Sequence, residues 1–156
     1  MRFTPKTEEE IRQINLFKDG DYPYEVIYAE DTHVKNGKNI GVEQIKLKIK
    51  AFNEEGRQTI IECYLSELMI HLLKHYCDVN NKTERYNSNE LFANECLSDS
   101  GGLVRLGIEK GKPIPNDPDN KCWPDRNVVK DFVHDKNHAK IQVNTSKEFL
   151  NDDIPF

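Results

Sequence analysis

Three lysines and a phenylalanine recur at every second position of one short segment, and they are the clearest candidates for binding chemistry. Lys46, Lys48, Lys50 and Phe52 alternate with apolar residues over positions 44–52. This period of two predicts a strand with one buried face, so the four side chains lie on the opposite face at intervals of ~7 Å. Such a face suits the binding of a single nucleic-acid strand, because the lysines can bind phosphates and the phenylalanine ring can stack on an unpaired base. A solvated lysine face that only keeps the strand soluble is the alternative.

The histidines and cysteines form a weaker pattern. His71 and His75 stand four residues apart in a predicted helix, with Cys77 just beyond, and this spacing can place two imidazoles on one zinc ion. However, the chain has no Cys-x-x-Cys pair, and apolar residues crowd the same helix. We therefore expect structural histidines and buried thiols, with neither a metal nor another cofactor.

A cluster of carboxylates is the main candidate for catalysis. Asp117, Asp119 and Asp125 could hold Mg²⁺ as in a nuclease, but the prolines among them favour a turn-rich loop. The chain shows no glycine-rich phosphate loop and no local Ser-His-Asp or Cys-His arrangement. The sequence therefore predicts a protein that is not an enzyme, with a Mg²⁺-dependent nuclease as an alternative.

Composition and charge limit the classes of protein further. The 156 residues suit one domain, and the net charge of −5 opposes binding of nucleic acid through overall charge. Nucleic acid could still bind to a local basic face despite the negative net charge, because salt screens each charge beyond ~10 Å. No apolar run approaches the ~20 residues that span a bilayer, and residues 1–10 lack the apolar region of a secretory signal. We therefore expect a soluble cytoplasmic protein without a membrane partner and with its four cysteines reduced.

Periodicity and turn residues predict the elements that position these side chains. We expect an N-terminal arm or helix over residues 1–19 that packs on the domain, a folded domain over 20–133 and a flexible tail over 134–156. A helix is predicted over 65–76, and a second short helix over 90–97. The predicted strands cover residues 22–29, 44–52, 57–64, 103–109 and 128–133.

This order of elements is that of an oligonucleotide/oligosaccharide-binding (OB) fold. Three strands, a helix, a strand, a long loop and a closing strand predict an all-β fold with a helical insertion, namely a five-stranded OB barrel with the helix between strands three and four. Trp123 lies in the loop before the last strand, where its ring could stack on a base or close one end of the barrel. The further candidates for contact with nucleic acid on this fold are Arg57, Tyr64, Arg105 and Trp123.

The end of the chain has an unusual pattern. Asp152 and Asp153 precede Ile154, Pro155 and Phe156. An exposed phenylalanine contributes no binding energy unless a partner buries it. The apolar side chains therefore suit a small pocket on a partner protein, and the acidic groups suit lysine or arginine side chains around that pocket. The sequence therefore predicts that these five residues bind a partner protein, with a chance frayed terminus as the alternative.

Two parts of the chain resemble known proteins. The terminal Asp152-Asp153-Ile154-Pro155-Phe156 is similar to the acidic tip of bacterial and phage single-stranded-DNA-binding proteins, which recruits replication and repair enzymes. The body resembles a phage family of OB-fold single-strand binders that was long described only as a domain of unknown function. The stretches that carry this second resemblance are 20–26, 35–37 with the strand that follows, 102–106 and 123–129.

The resemblance implies a single-stranded-DNA-binding protein that acts without sequence preference in phage DNA replication or recombination. Such a protein would bind single-stranded DNA, recruit replication and recombination proteins through its tip, and lie in the host cytoplasm. An OB-fold adaptor or inhibitor that binds another protein and no DNA is the alternative. Homo-oligomerisation and the preference between DNA and RNA stay open at this point.

Overall fold

The β-strands form two antiparallel three-stranded sheets. The structure, a computed structural model, describes residues 1–135. One sheet has the strand order β1–β5–β6, and the other has the order β2–β3–β4. The strands are β1 Gly20–Tyr22, β2 Tyr24–His33, β3 Glu43–Phe52, β4 Gln58–Ser66, β5 Leu103–Glu109 and β6 Arg126–Val133.

Three α-helices accompany the sheets. The helices are α1 Glu8–Asn15, α2 Ile70–Val79 and α3 Thr83–Asn87. A single 3-10 turn precedes α2 at Glu67–Met69, and another follows α3 at Ala93–Glu95. The predicted mostly-β fold with a helix inserted after the third predicted strand is therefore confirmed.

The first predicted strand is in fact two strands that belong to different sheets. Pro23 separates β1 from β2, and it has no N–H group with which to continue a ladder. Its carbonyl oxygen accepts a hydrogen bond from the Phe52 N–H at 3.0 Å, so the bend is fixed to the end of β3. Within residues 1–135, no hydrogen-bonded ladder joins the two sheets into a closed barrel.

The predicted helix begins later in the chain than its apolar spacing indicates. Leu65 and Ser66 are the last residues of β4, where both are buried, and α2 starts only at Ile70. The Ser66 hydroxyl accepts a hydrogen bond from the Leu68 N–H at 3.2 Å and so caps the intervening 3-10 turn. The second predicted helix, at 90–97, is reduced to the 3-10 turn Ala93–Glu95.

The apolar core lies between the two sheets and α2. Leu47 and Ile49 of β3 are fully buried, and Tyr76 of α2 is buried with them. The Tyr76 ring meets the Phe132 ring edge-on at 5.0 Å, and Tyr24 packs on the same Phe132 ring at 5.4 Å. These rings connect α2 to both sheets, because Tyr24 lies in β2 and Phe132 in β6.

A polar network holds the segment after α2 against the sheet. The Asn80 amide nitrogen donates to the Tyr24 hydroxyl at 2.9 Å, and its oxygen accepts from the Gly101 N–H at 2.7 Å. Asp99 accepts hydrogen bonds from the Tyr76 hydroxyl at 2.5 Å and from Lys82 Nζ at 3.0 Å. Gly101 is required here, because an added Cβ would lie 2.0 Å from the Val79 carbonyl oxygen.

The N-terminal arm projects from the domain. Thr7 caps α1 through a reciprocal pair of hydrogen bonds with Glu10, and no residue of α1 is buried. Phe17 is the first buried residue of the chain. Its N–H donates to Asn127 Oδ1 at 2.8 Å, and its carbonyl accepts from Asn127 Nδ2 at 2.7 Å. Close packing of residues 1–19 on the domain is therefore observed at Phe17, while α1 lies mostly at the surface with Ile14 partly buried.

None of the helices within residues 1–135 has the length and apolar character needed to cross a membrane.

We predict that Asn80→Ala lowers the free energy of unfolding by about 2–3 kcal/mol, because the Gly101 N–H and the hydroxyl of the buried Tyr24 lose their partly buried partner. Urea unfolding followed by far-UV circular dichroism measures this loss. Asn36→Ala is the matched control, since Asn36 lies exposed in the β2–β3 loop, and it should change the value by less than about 0.5 kcal/mol. Equal stability of the two variants would contradict the role given to the network.

Candidate nucleic-acid interface

The alternating segment of β3 has the one-sided burial that its sequence predicts. Its apolar residues, from Ile45 to Ala51, are buried, whereas Lys46, Lys48 and Lys50 are only partly buried on the other side. Phe52 is partly buried at the end of the same side. The four predicted residues therefore share one face of the sheet.

Strand β4 brings a tyrosine to this face. In the antiparallel register, Tyr64 pairs with Lys46, and its side chain is 43% exposed. Glu62 pairs with Lys48, and its Oε2 lies 3.7 Å from Lys46 Nζ. The structure therefore brings Tyr64 together with the lysines, as an exposed ring on the same face.

Strand β2 brings a second tyrosine, which the sequence analysis missed. Tyr28 pairs with Lys48, and Lys48 Nζ lies 5.2 Å from the centre of the Tyr28 ring. Strict alternation from the buried Val26 would turn Tyr28 inward. A β-bulge between Val26 and Tyr28 leaves both Ile27 and Tyr28 exposed. We call the outward side of β2–β3–β4 the lysine face, with Tyr28, Lys46, Lys48, Lys50 and Tyr64 as its defining residues.

Glutamates balance the charge of the lysine face. Glu25 and Glu30 of β2 pair across the sheet with Lys50 and Lys46, respectively, and Glu62 of β4 pairs with Lys48. Three carboxylates thus stand against three ammonium groups. Among these groups, the one ion pair within 4.0 Å is Lys46–Glu62, and such exposed pairs contribute little to stability, so the lysines remain available to other anions at small cost.

Arg57 lies close to the end of the lysine face that Phe52 occupies. It directly precedes β4, whose first residue Gln58 pairs with Phe52. The Arg57 N–H donates to Asn53 Oδ1 at 2.9 Å, and this bond fixes the β3–β4 turn. Its guanidinium Nε is 3.9 Å from Glu55 Oε1, and the side chain is about half exposed.

Arg105 belongs to the other sheet and already has a partner. It lies in β5 and pairs with Asp21 of β1. Its Nε and Nη2 donate to the two carboxylate oxygens of Asp21 at 2.9 and 3.3 Å. The structure therefore does not bring Arg105 together with the residues of the lysine face.

Trp123 projects from the long loop between β5 and β6. Its backbone N–H donates to the Lys112 carbonyl at 2.7 Å, and the neighbouring Cys122 forms a β-bridge with Pro113 across the loop. The side chain is 56% exposed. The ring is therefore accessible for stacking, and its exposure leaves both roles open, namely stacking on a base and closing one end of a barrel.

The carboxylates of this loop bind the loop itself. Asp117 accepts hydrogen bonds from the N–H groups of Asp119 and Lys121 at 3.0 and 3.2 Å. Asp125 accepts from the Gly111 N–H at 2.9 Å, and this bond keeps the pKa of the Asp125 carboxyl below its usual range. These contacts give the carboxylates a structural role in the turns.

The candidate zinc ligands have different surroundings. His75 Nδ1 lies 2.7 Å from Asp131 Oδ1, the rings of His71 and His75 are 6.3 Å apart, and Cys77 is fully buried. Within residues 1–135, no three His, Cys, Asp or Glu side chains are placed to hold a metal ion. Burial raises the pKa of Cys77 and of Cys96 to about 11, so these thiols stay protonated at neutral pH.

The predicted partner-binding residues Asp152, Asp153, Ile154, Pro155 and Phe156 lie outside the described residues. No family model matches this chain, and neither a curated protein nor a solved structure is similar to it.

We predict that Trp123 fluoresces as a tryptophan in water does, because its ring lies outside the core. Since Trp123 is the only tryptophan, the signal has one source. Acrylamide should quench the native protein nearly as well as the urea-unfolded protein, and unfolding should shift the emission maximum only slightly. Trp123→Phe provides the blank. A strongly blue-shifted emission that acrylamide quenches poorly would show that the ring is buried.

Proposed function

We propose that this protein binds single-stranded DNA without sequence preference through the lysine face. The observation that carries the proposal is the central row of lysines on β3, flanked on both sides by exposed tyrosines. Such a surface offers cations to the phosphates and rings to the bases. It contains no arrangement that would distinguish one base from another, since stacking accepts every base.

The two tyrosines lie diagonally opposite each other across the lysine face. Tyr28 stands beside Lys48 on one edge, and Tyr64 stands beside Lys46 on the other. From strand spacing and residue rise, the two positions are ~12 Å apart, which is about two nucleotides of an extended strand. Each stacked base contributes ~1–3 kcal/mol, so two rings supply affinity that salt does not screen.

We further propose that the two sheets form the partly open barrel of an OB fold. Strands β1 and β2 then represent one bent first strand that belongs to both sheets, with Pro23 at the bend. Strands β4 and β6 pack against each other without a ladder between them, and this seam would be the open part of the barrel. The lysine face would lie on the second and third strands, where OB folds bind oligonucleotides.

The terminal residues from Asp152 to Phe156 give the proposal its second part. Their acidic and apolar pattern supports recruitment of replication or recombination proteins while the domain holds the DNA. A phage protein of this kind would act in DNA replication or recombination in the host cytoplasm. No catalytic step belongs to the proposed function.

A protein–protein adaptor is the second candidate function. The observation that favours it is the balance of charge on the lysine face, where Glu25, Glu30 and Glu62 oppose the three lysines. Paired charges around exposed rings also suit the surface of a partner protein. Absence of oligonucleotide binding by the intact chain would favour this second function.

We predict that replacing Lys46, Lys48 and Lys50 together by Ala flattens the slope of log K against log salt by about two units, since each single-strand phosphate contact contributes ~0.7. Replacing Tyr28 or Tyr64 by Ala should instead weaken binding by ~1–3 kcal/mol and leave the slope nearly unchanged. Fluorescence anisotropy of labelled oligo(dT) across a salt series measures both quantities.

The matched control for this experiment replaces three lysines away from the lysine face, namely Lys18, Lys74 and Lys130. It removes the same total charge and should leave the slope almost unaltered, because exposed charges act over only ~10 Å. Equal slopes for the two triple variants would remove the lysine face from the binding site.

We predict that deletion of residues 151–156 abolishes capture of a replication or recombination enzyme and leaves oligo(dT) affinity equal or slightly higher. Phe156→Ala alone should remove most of the capture, because one buried ring often anchors so short a contact. Pull-down with the intact and the truncated chain, with Phe156→Tyr as the conservative control, measures the effect. Recovery of the same enzymes by both chains would contradict the role of the tip.

A further inference from the structure

A groove of about 860 Å³ opens at the end of the β2–β3–β4 sheet opposite the β3–β4 turn. Its walls come from the ends of these strands, from α2 and from the segment that follows α3. Ile45, Leu65, Ile70 and Leu73 give the groove an apolar lining, and Phe92 stands at its edge, 46% exposed. The volume is ample for a large apolar side chain.

The rim of this groove is acidic. Asp31, Glu43, Glu67 and Glu90 all line it, against Arg85 as the one arginine of the lining. Arg85 is engaged by Glu95, with Nε 2.9 Å from Oε2 and Nη2 donating to Oε1 at 2.9 Å. Within residues 1–135, neither Glu43 nor Glu67 takes part in an ion pair. The groove therefore suits an apolar segment that carries positive charge.

The N-terminal arm of the chain has this chemistry. Phe3 is 75% exposed, and Arg2 and Lys6 flank it. In α1, which follows, Ile11 is also exposed. A helix of eight residues is marginal alone in water, and no residue of α1 is fully buried, so α1 gains little from packing on its own domain.

We propose that residues 1–6 of one copy of this chain occupy the groove of a second copy. Phe3 would enter the apolar part of the groove, and Arg2 and Lys6 would meet Glu43 and Glu67 at the rim. The arm leaves the domain at Phe17, which is bound to Asn127 of the β1–β5–β6 sheet, whereas the groove lies at the end of the other sheet.

This contact joins two different surfaces, so it is head-to-tail and can repeat from copy to copy. Each copy offers an exposed arm at one site and an open groove at another. Copies bound side by side on one DNA strand would reinforce each other through it. The inference goes beyond the proposed function and does not depend on it, because the arm and the groove lie outside the residues that define the lysine face.

Sedimentation velocity in the absence of DNA tests this proposal with charge-swapped variants. The wild-type chain should show a mass that rises above 18.2 kDa as its concentration increases. Two variants should remain monomeric, namely the arm variant Arg2→Glu/Lys6→Glu and the groove variant Glu43→Lys/Glu67→Lys. An equimolar mixture of the two variants should associate again, because each then offers the charge that the other lacks.

A control variant, Glu54→Lys/Glu84→Lys, reverses two exposed carboxylates outside the groove and should associate as the wild type does. Circular dichroism verifies that each variant is folded. The proposal is overturned if the wild type is monomeric at every concentration, as it would be if each arm occupied its own groove. It is also overturned if the arm variant associates like the wild type or if mixing restores nothing.

Discussion

Strand β3 lies in the middle of its sheet, and the burial of its alternate side chains fixes the position of everything around it. Leu47 and Ile49 are fully buried, and each contributes about 1.5–3 kcal/mol by leaving water. A shift of the strand by one residue would exchange them for Lys46 and Lys48, at a much larger cost. The outward row of lysines is therefore a direct consequence of the core.

The neighbours of β3 decide what the lysine face can do. A row of lysines alone would attract any polyanion, and glutamates placed directly across the sheet moderate that attraction. The exposed rings of Tyr28 and Tyr64 add a contribution that does not depend on charge. In the proposed function, this surface would favour a ligand with both phosphates and accessible bases over one with phosphates alone.

The outer edge of β2, where the bulge lies, is held by the segment that precedes β5. The Val26 N–H donates to the Asp99 carbonyl at 2.8 Å, and the Val26 carbonyl accepts from the Ser98 N–H at 2.9 Å. These bonds cover an edge that would otherwise be open to another strand. Asp99 also binds Tyr76 and Lys82, so the same residue connects the edge of the lysine face to α2.

The sequence by itself determined the strand at 44–52, its buried side and the order of strands and helix, because these follow from side-chain periodicity among near neighbours. Tertiary structure alone decided that the residues on either side of Pro23 belong to two sheets, since β1 pairs with the distant β5 and β2 pairs with β3. It alone paired Arg105 with Asp21 across 84 positions. It also turned Tyr28 outward, because a bulge is a property of two paired strands and leaves no local signature in either one.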